Sequence, residues 1–121
     1  MKRILFIDDD VLALQLMAKI TTMLGLQAIL SPSPRRGLVM AAAEKPDLVV
    51  VDMQMDEMDG SEFVRRLRHL PGFLSIPILI CTVGSGQSDE EKARLAGANG
   101  LLEKPLGFTE LSRIIQTYAA A

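Results

Sequence analysis

Carboxylates stand where two apolar runs of this sequence end. Ile4-Leu5-Phe6-Ile7 is stopped by Asp8-Asp9-Asp10, and Leu48-Val49-Val50-Val51 ends on Asp52. An ionised carboxylate at the mouth of a buried strand has lost part of its solvation, which is costly unless a cation compensates, and three of them together repel. A hard divalent cation is the simplest solution. Magnesium suits a site made only partly by protein, because it binds one or two carboxylates, keeps several waters and accepts phosphate oxygens. There are too few carboxylates for a calcium cage, and their spacing is not that of an EF-hand loop. Thr82 closes a third apolar run, Ile78-Leu79-Ile80-Cys81, and Lys104 follows Leu101-Leu102-Glu103. A hydroxyl donor and an ammonium beside a metal-bound carboxylate are what a transferred phosphoryl group needs, since its peripheral oxygens carry the charge. The residues therefore predict a phosphoryl group held on Asp52.

Positioning these groups together requires a sheet. The runs 4–7, 27–30, 48–52, 76–82 and 101–103 read as strands, and helical spacing appears between them. Val11, Leu14, Met17, Ala18, Thr21 and Leu24 mark the first helix, capped by Asp10 and stopped at Gly25. Ser33 caps the second, with Pro34 at its first position, and the helix runs to about Glu44. Asp59-Gly60-Ser61-Glu62 opens the third, whose buried stripe is Phe63, Val64, Leu67 and Leu70, and Pro71-Gly72 ends it. A short fourth spans about 88–96, and Leu111, Ile114 and Ile115 mark the face of a fifth. Alternating strands and helices predict an α/β doubly wound fold, a five-stranded parallel sheet with five helices joined by right-handed crossovers. The first, third and fourth strands are the most continuously apolar and belong at the centre, compatible with the flavodoxin-like order 2-1-3-4-5. Its switch point, between strands one and three, brings Asp8, Asp9 and Asp52 to one crevice.

The 121 residues fit one domain, 1–121, able to bury a core without disulfides or metals as scaffolding. With 49% hydrophobic and 23% charged residues the chain has a globular balance, and a net charge of -2 with only scattered basic pairs argues against nucleic-acid binding. Cys81 is the single cysteine, so no internal disulfide is possible and a small buried hydrophobe is its expected role. The N-terminal apolar run is too short for a signal peptide or a membrane span, and the expected location is the cytoplasm.

Asp8-Asp9, Asp52, Met58-Asp59-Gly60, Thr82 and Lys104-Pro105, each at a strand end or in the loop that follows, together resemble the receiver domain of two-component response regulators. The resemblance covers essentially the whole chain. It implies phosphorelay signalling, with Asp52 as phosphoacceptor and a sensor histidine kinase or phosphotransfer protein as donor. It makes Asp9, Asp52 and the backbone carbonyl of Gln54 the ligands of a magnesium cofactor, with Asp8 acting through water, and brings Thr82 and Lys104 onto the phosphoryl oxygens. The domain would catalyse only its own phosphorylation and dephosphorylation. Phosphorylation would repack the surface of the fourth helix, fifth strand and fifth helix, a face that can also form a dimer, and so change affinity for a downstream protein or fused output domain. The chain is expected to be either a stand-alone regulator or a piece of a longer protein.

Three positions depart from the family pattern. Asp56 stands where a proline is common, and with Glu57 adds acid beside the site. Val83 replaces a smaller residue and is expected to slow small phosphodonors. Leu101 takes the place of the aromatic switch residue, which would weaken coupling to the output face. These departures keep open a receiver-like interaction module that works without phosphorylation. A phosphatase of the haloacid dehalogenase type also forms an aspartyl phosphate, but wants a second aspartate where this chain has Gln54. His69 reads as a surface residue, Gly84-Ser85-Gly86 as a mobile loop, and Met53, Met55 and Met58 as core filler.

Overall fold

A computed structural model describes residues 2–84 and 86–118; Ser85 of the glycine loop and the alanines at 119–121 lie outside the described residues. The elements alternate in chain order: β1 (Arg3–Ile7), α1 (Val11–Met23), β2 (Gln27–Ser31), α2 (Pro34–Glu44), β3 (Leu48–Asp52), α3 (Gly60–Arg68), β4 (Ile78–Thr82), α4 (Gln87–Ala96), β5 (Gly100–Glu103) and α5 (Phe108–Tyr118). The strands pair in parallel in the order β2-β1-β3-β4-β5, so the most apolar strands are central, as expected.

Side chains alternate across the sheet and divide the core in two. Leu5, Ile7, Val49, Val51, Ile78 and Ile80 face the layer of α2, α3 and α4, which contributes Ala41, Phe63, Val64, Leu67, Ala93 and Ala96. Ile4, Phe6, Leu48, Val50, Leu79 and Cys81 face α1 and α5, which contribute Leu14, Ile20, Leu111, Ile114 and Ile115. Because both faces are covered, the central strands are apolar at successive positions instead of every second one.

The helices start where side-chain caps can satisfy their first N–H groups. The carboxylate of Asp10 accepts from the Leu12 N–H, the Ser33 hydroxyl from the Arg36 N–H, and the Asp59 carboxylate from the Glu62 N–H. Three expectations shift. β4 begins at Ile78 instead of residue 76, since Pro77 has no N–H to give the ladder. Val11 leaves the buried stripe of α1: it lies 55% exposed in the first turn, while Ile20 is buried. The third-helix stripe holds for Phe63, Val64 and Leu67, which are fully buried, but α3 ends at Arg68, so Leu70 packs against the core from the turn after the helix.

One unforeseen side chain joins α3 to the far end of the sheet. All five N–H donors of Arg68 are engaged by neutral oxygens: Nε and Nη2 reach the Gly97 carbonyl at 3.0 and 2.9 Å, Nη1 the carbonyls of Phe73 and Ile76 at 2.9 and 2.6 Å, and Nη2 also Asn99 Oδ1 at 3.0 Å. Asn99 Oδ1 accepts from the Ile78 N–H as well, at 2.8 Å. Burial alone lowers the Arg68 pKa, yet guanidinium basicity keeps it charged.

Candidate functional site

Parallel pairing sets the level of the reactive groups. Ile7 is opposite Val51 and Asp52 opposite Cys81, so Asp8 leaves β1 level with Asp52; Thr82 is opposite Glu103, and Lys104 follows. All four sit at the carboxyl edge of the sheet, beside the switch point where β1 and β3 connect in opposite directions. Carboxylate oxygens of Asp8, Asp9 and Asp52 lie within 4.8 Å of one another. The sequence-predicted cluster is therefore assembled in space.

Lys104 is the cation that holds it together. Its Nζ donates to Asp8 Oδ2 at 2.7 Å and lies 3.2 Å from Asp52 Oδ1. Asp8, nearly buried, also accepts from the Asp10 N–H at 2.9 Å, which leaves it little freedom. Asp9 is exposed at the rim. The Asp52 carboxyl is pushed above the usual aspartate range, first by burial and then by the charge of Asp8, against the opposing pull of Lys104. Burial disfavours the Lys104 ammonium, but its bonds to Asp8 and Asp52 outweigh this and raise its pKa. One lysine thus leaves the three carboxylates under-compensated.

The residues fit a hard cation and a phosphoryl group on two observations. The clustered carboxylate oxygens are the donor type magnesium takes, with Asp9 exposed at the rim and Gln54 exposed two residues after Asp52. Thr82 is 1% exposed, and its Oγ1 has no hydrogen-bond partner among the described residues. A buried hydroxyl left without a partner is unfavourable and is satisfied if an anion arrives beside it. A cavity of ≈ 220 Å³ adjoins Asp52, walled by Phe6, Leu14, Met17, Cys81 and Leu106.

The loop from 53 to 59 is pinned at its base. The Met53 N–H donates to the Cys81 carbonyl at 2.8 Å, the Gly60 N–H returns to the Met53 carbonyl at 2.7 Å, and the Met53 and Met58 side chains are buried. A Cβ on Gly60 would stand 2.6 Å from the Asp52 carbonyl oxygen and 2.9 Å from Met53 Cα, both backbone atoms that cannot swing away. Gly60→Ala should therefore cost about 2 kcal/mol, within the range for overpacking. A urea midpoint unchanged from wild type would refute this.

Other expected residues fall into place. Cys81 is buried, and desolvation pushes its thiol up to about 12, so it stays protonated. His69 is on the surface, its Nδ1 2.7 Å from the Arg65 carbonyl oxygen. Val83 is 74% exposed, and Leu101 is half-buried against the α2–α4 side of the core. Asp56 is exposed and outside the carboxylate cluster. Glu57, expected to add acid beside the site, is instead engaged on α2: its Oε1 accepts from the Ser33 hydroxyl at 2.8 Å. No helix among the described residues is long and apolar enough to cross a membrane.

Residues 4–116 match the family model described as response regulator receiver domain. An uncharacterised 14.6 kDa protein of Leptolyngbya boryana is 33% identical over 98% of this chain and 90% of its own length. The KDP operon transcriptional regulatory protein KdpE of Escherichia coli is 37% identical over 72% of this chain, which spans 37% of that protein. The crystallised chemotaxis protein CheY4 of Vibrio cholerae superposes with a TM-score of 0.94 at 25% identity, covering 98% of both chains.

Proposed function

This chain belongs to the response regulator receiver domain family, and from that premise we propose that residues 1–121 act as one receiver unit that accepts a phosphoryl group on Asp52. The observation that carries this reading is the mostly buried Asp52 carboxylate, its pKa raised, 3.2 Å from the Lys104 ammonium. The donor is a phosphohistidine on a sensor histidine kinase or phosphotransfer protein in the cytoplasm. An Asp52 oxygen attacks phosphorus in line while the phosphorus–nitrogen bond breaks, its electron pair returning to the imidazole, which takes up a proton. Lys104 pairs with a phosphoryl oxygen, and the Thr82 hydroxyl gains the acceptor it lacks. Asp9, Asp52 and the Gln54 carbonyl would hold magnesium, with Asp8 acting through water, and the ion would neutralise charge on the incoming phosphoryl group. Water later hydrolyses the acyl phosphate, so the domain acts only on its own modification.

The added charge draws Thr82 and the loop after it inward, and the surface of α4, β5 and α5 changes its affinity for a downstream protein or output domain. Leu101 has no ring to turn inward, so this coupling is weaker or uses other residues.

Intact mass after incubation with magnesium and a small phosphodonor, then with a histidine kinase, tests the proposal. Wild type should gain one phosphoryl group and Asp52→Asn none. Absence of modification from either donor, with magnesium binding intact, would make the domain an interaction module independent of phosphorylation.

A further inference from the structure

The tip of the β3–α3 loop is tied to a helix that takes no part in the carboxylate cluster. Glu57 Oε1 accepts from Ser33 Oγ at 2.8 Å and meets the Arg35 N–H at 3.5 Å, across 24 and 22 residues. Ser33 is the cap of α2, where its Oγ accepts from the Arg36 N–H at 3.4 Å. The first turn of α2 carries no acidic residue of its own and has proline at its start. Glu57 supplies the missing acid from another loop, where the partial positive charge of a helix N-terminus favours it.

The consequence falls on Gln54. Its loop is fixed at its base by the Met53 and Gly60 backbone bonds, whereas at the tip Asp56 is exposed and outside the carboxylate cluster. Among the described residues, the Glu57 bonds to Ser33 and to the Arg35 N–H tether that tip to the start of α2.

We propose that Glu57, anchored on Ser33, is a positioning residue for the divalent-cation site, holding the loop so that the Gln54 carbonyl faces the Asp9 and Asp52 carboxylates. This rests on the magnesium reading above. It differs from Glu57 acting as a charge on the cation itself, because Glu57 lies outside the carboxylate cluster and is hydrogen-bonded to Ser33. Coupling is reciprocal: magnesium binding tightens the tether and the first turn of α2.

The test is a magnesium chloride titration followed by backbone amide shifts, on wild type, Glu57→Ala, Glu57→Gln, Ser33→Ala and the Glu57→Ala/Ser33→Ala double variant. Each alanine variant should weaken magnesium by about fivefold, the low end of coupling effects because the bond is exposed. The double variant should lose less than the sum of the two single losses, since both remove the Glu57–Ser33 bond, while Ser33→Ala also uncaps α2. Glu57→Gln, which keeps an acceptor oxygen, should recover most of the affinity. In wild type, magnesium should also slow hydrogen exchange at the Arg35 and Arg36 amides. Unchanged affinity in Ser33→Ala, or losses that add in the double variant, would overturn the tether while leaving the metal site standing. No magnesium-dependent shift in wild type would overturn the metal reading and the tether with it.

Discussion

Lys104→Met is expected to lose about 2 kcal/mol of stability at pH 7.5 and much less at pH 4.5. The lysine Nζ lies 2.7 Å from Asp8 and 3.2 Å from Asp52, with side chains 24% exposed for the lysine and 11% for each aspartate. Removing one partner of such a group leaves uncompensated charge; fully buried cases cost about 3–5 kcal/mol, and partial exposure reduces that here. Asp52 is raised above its ordinary 3.8, so the folded protein binds its proton more tightly than the unfolded chain. Stability therefore falls as pH rises from about 4 through the raised value. Lys104, also raised, contributes stability fully below its ordinary 10.5, lost only as pH climbs through the higher folded value. In wild type the lysine limits the Asp52 penalty; without it the decline with pH steepens and extends upward. Urea unfolding at the two pH values, in chelator and in magnesium, measures this. An equal loss at both pH values, or no recovery with magnesium, would refute the electrostatic account.

Arg68→Met should cost about 3 kcal/mol, roughly a hundredfold in the folding equilibrium. The substitution leaves the carbonyls of Phe73 and Ile76 short of a donor at a part-buried place, and gives up the exposed bonds to the Gly97 carbonyl and the Asn99 side chain. Arg68→Lys should recover less than half, because an ammonium has three donors from one point and cannot reproduce the fork. Arg113, whose side chain is 69% exposed and pairs with Glu110, serves as control, with a loss below about 1 kcal/mol expected for Arg113→Met. Loss below about 1 kcal/mol in Arg68→Met as well would show that water replaces the network.

The two arginines of this comparison also mark what a sequence conveys. β3, from Leu48 to Asp52, was legible because unbroken β-branched residues flanked by turn signals have few other readings. The caps Asp10, Ser33 and Asp59 were legible because capping is local chemistry over two or three residues. The Asp8–Asp9–Asp52 cluster followed once strand order was inferred, since strand ends bring their next residues together. Arg68 gave no such signal: its acceptors come from residues 73 to 99 and are mostly backbone carbonyls, whose positions no side-chain pattern encodes. The Glu57–Ser33 tether was hidden for the same reason, and counting both loop acids as site charge misjudged where one of them points. Val11 shows the remaining error, that periodicity gives a helix face but not where along the helix the sheet stops covering it.

The bond between Asp8 and Lys104 spans 96 positions of the chain. At synthesis rates of roughly 5–20 residues per second, Lys104 is made roughly 3–10 s after Asp52. For that interval the emerging β1 and β3 carry their carboxylates with no lysine to hold them. The acidic cluster therefore opposes early closure of its own strands, and charge compensation arrives with β5.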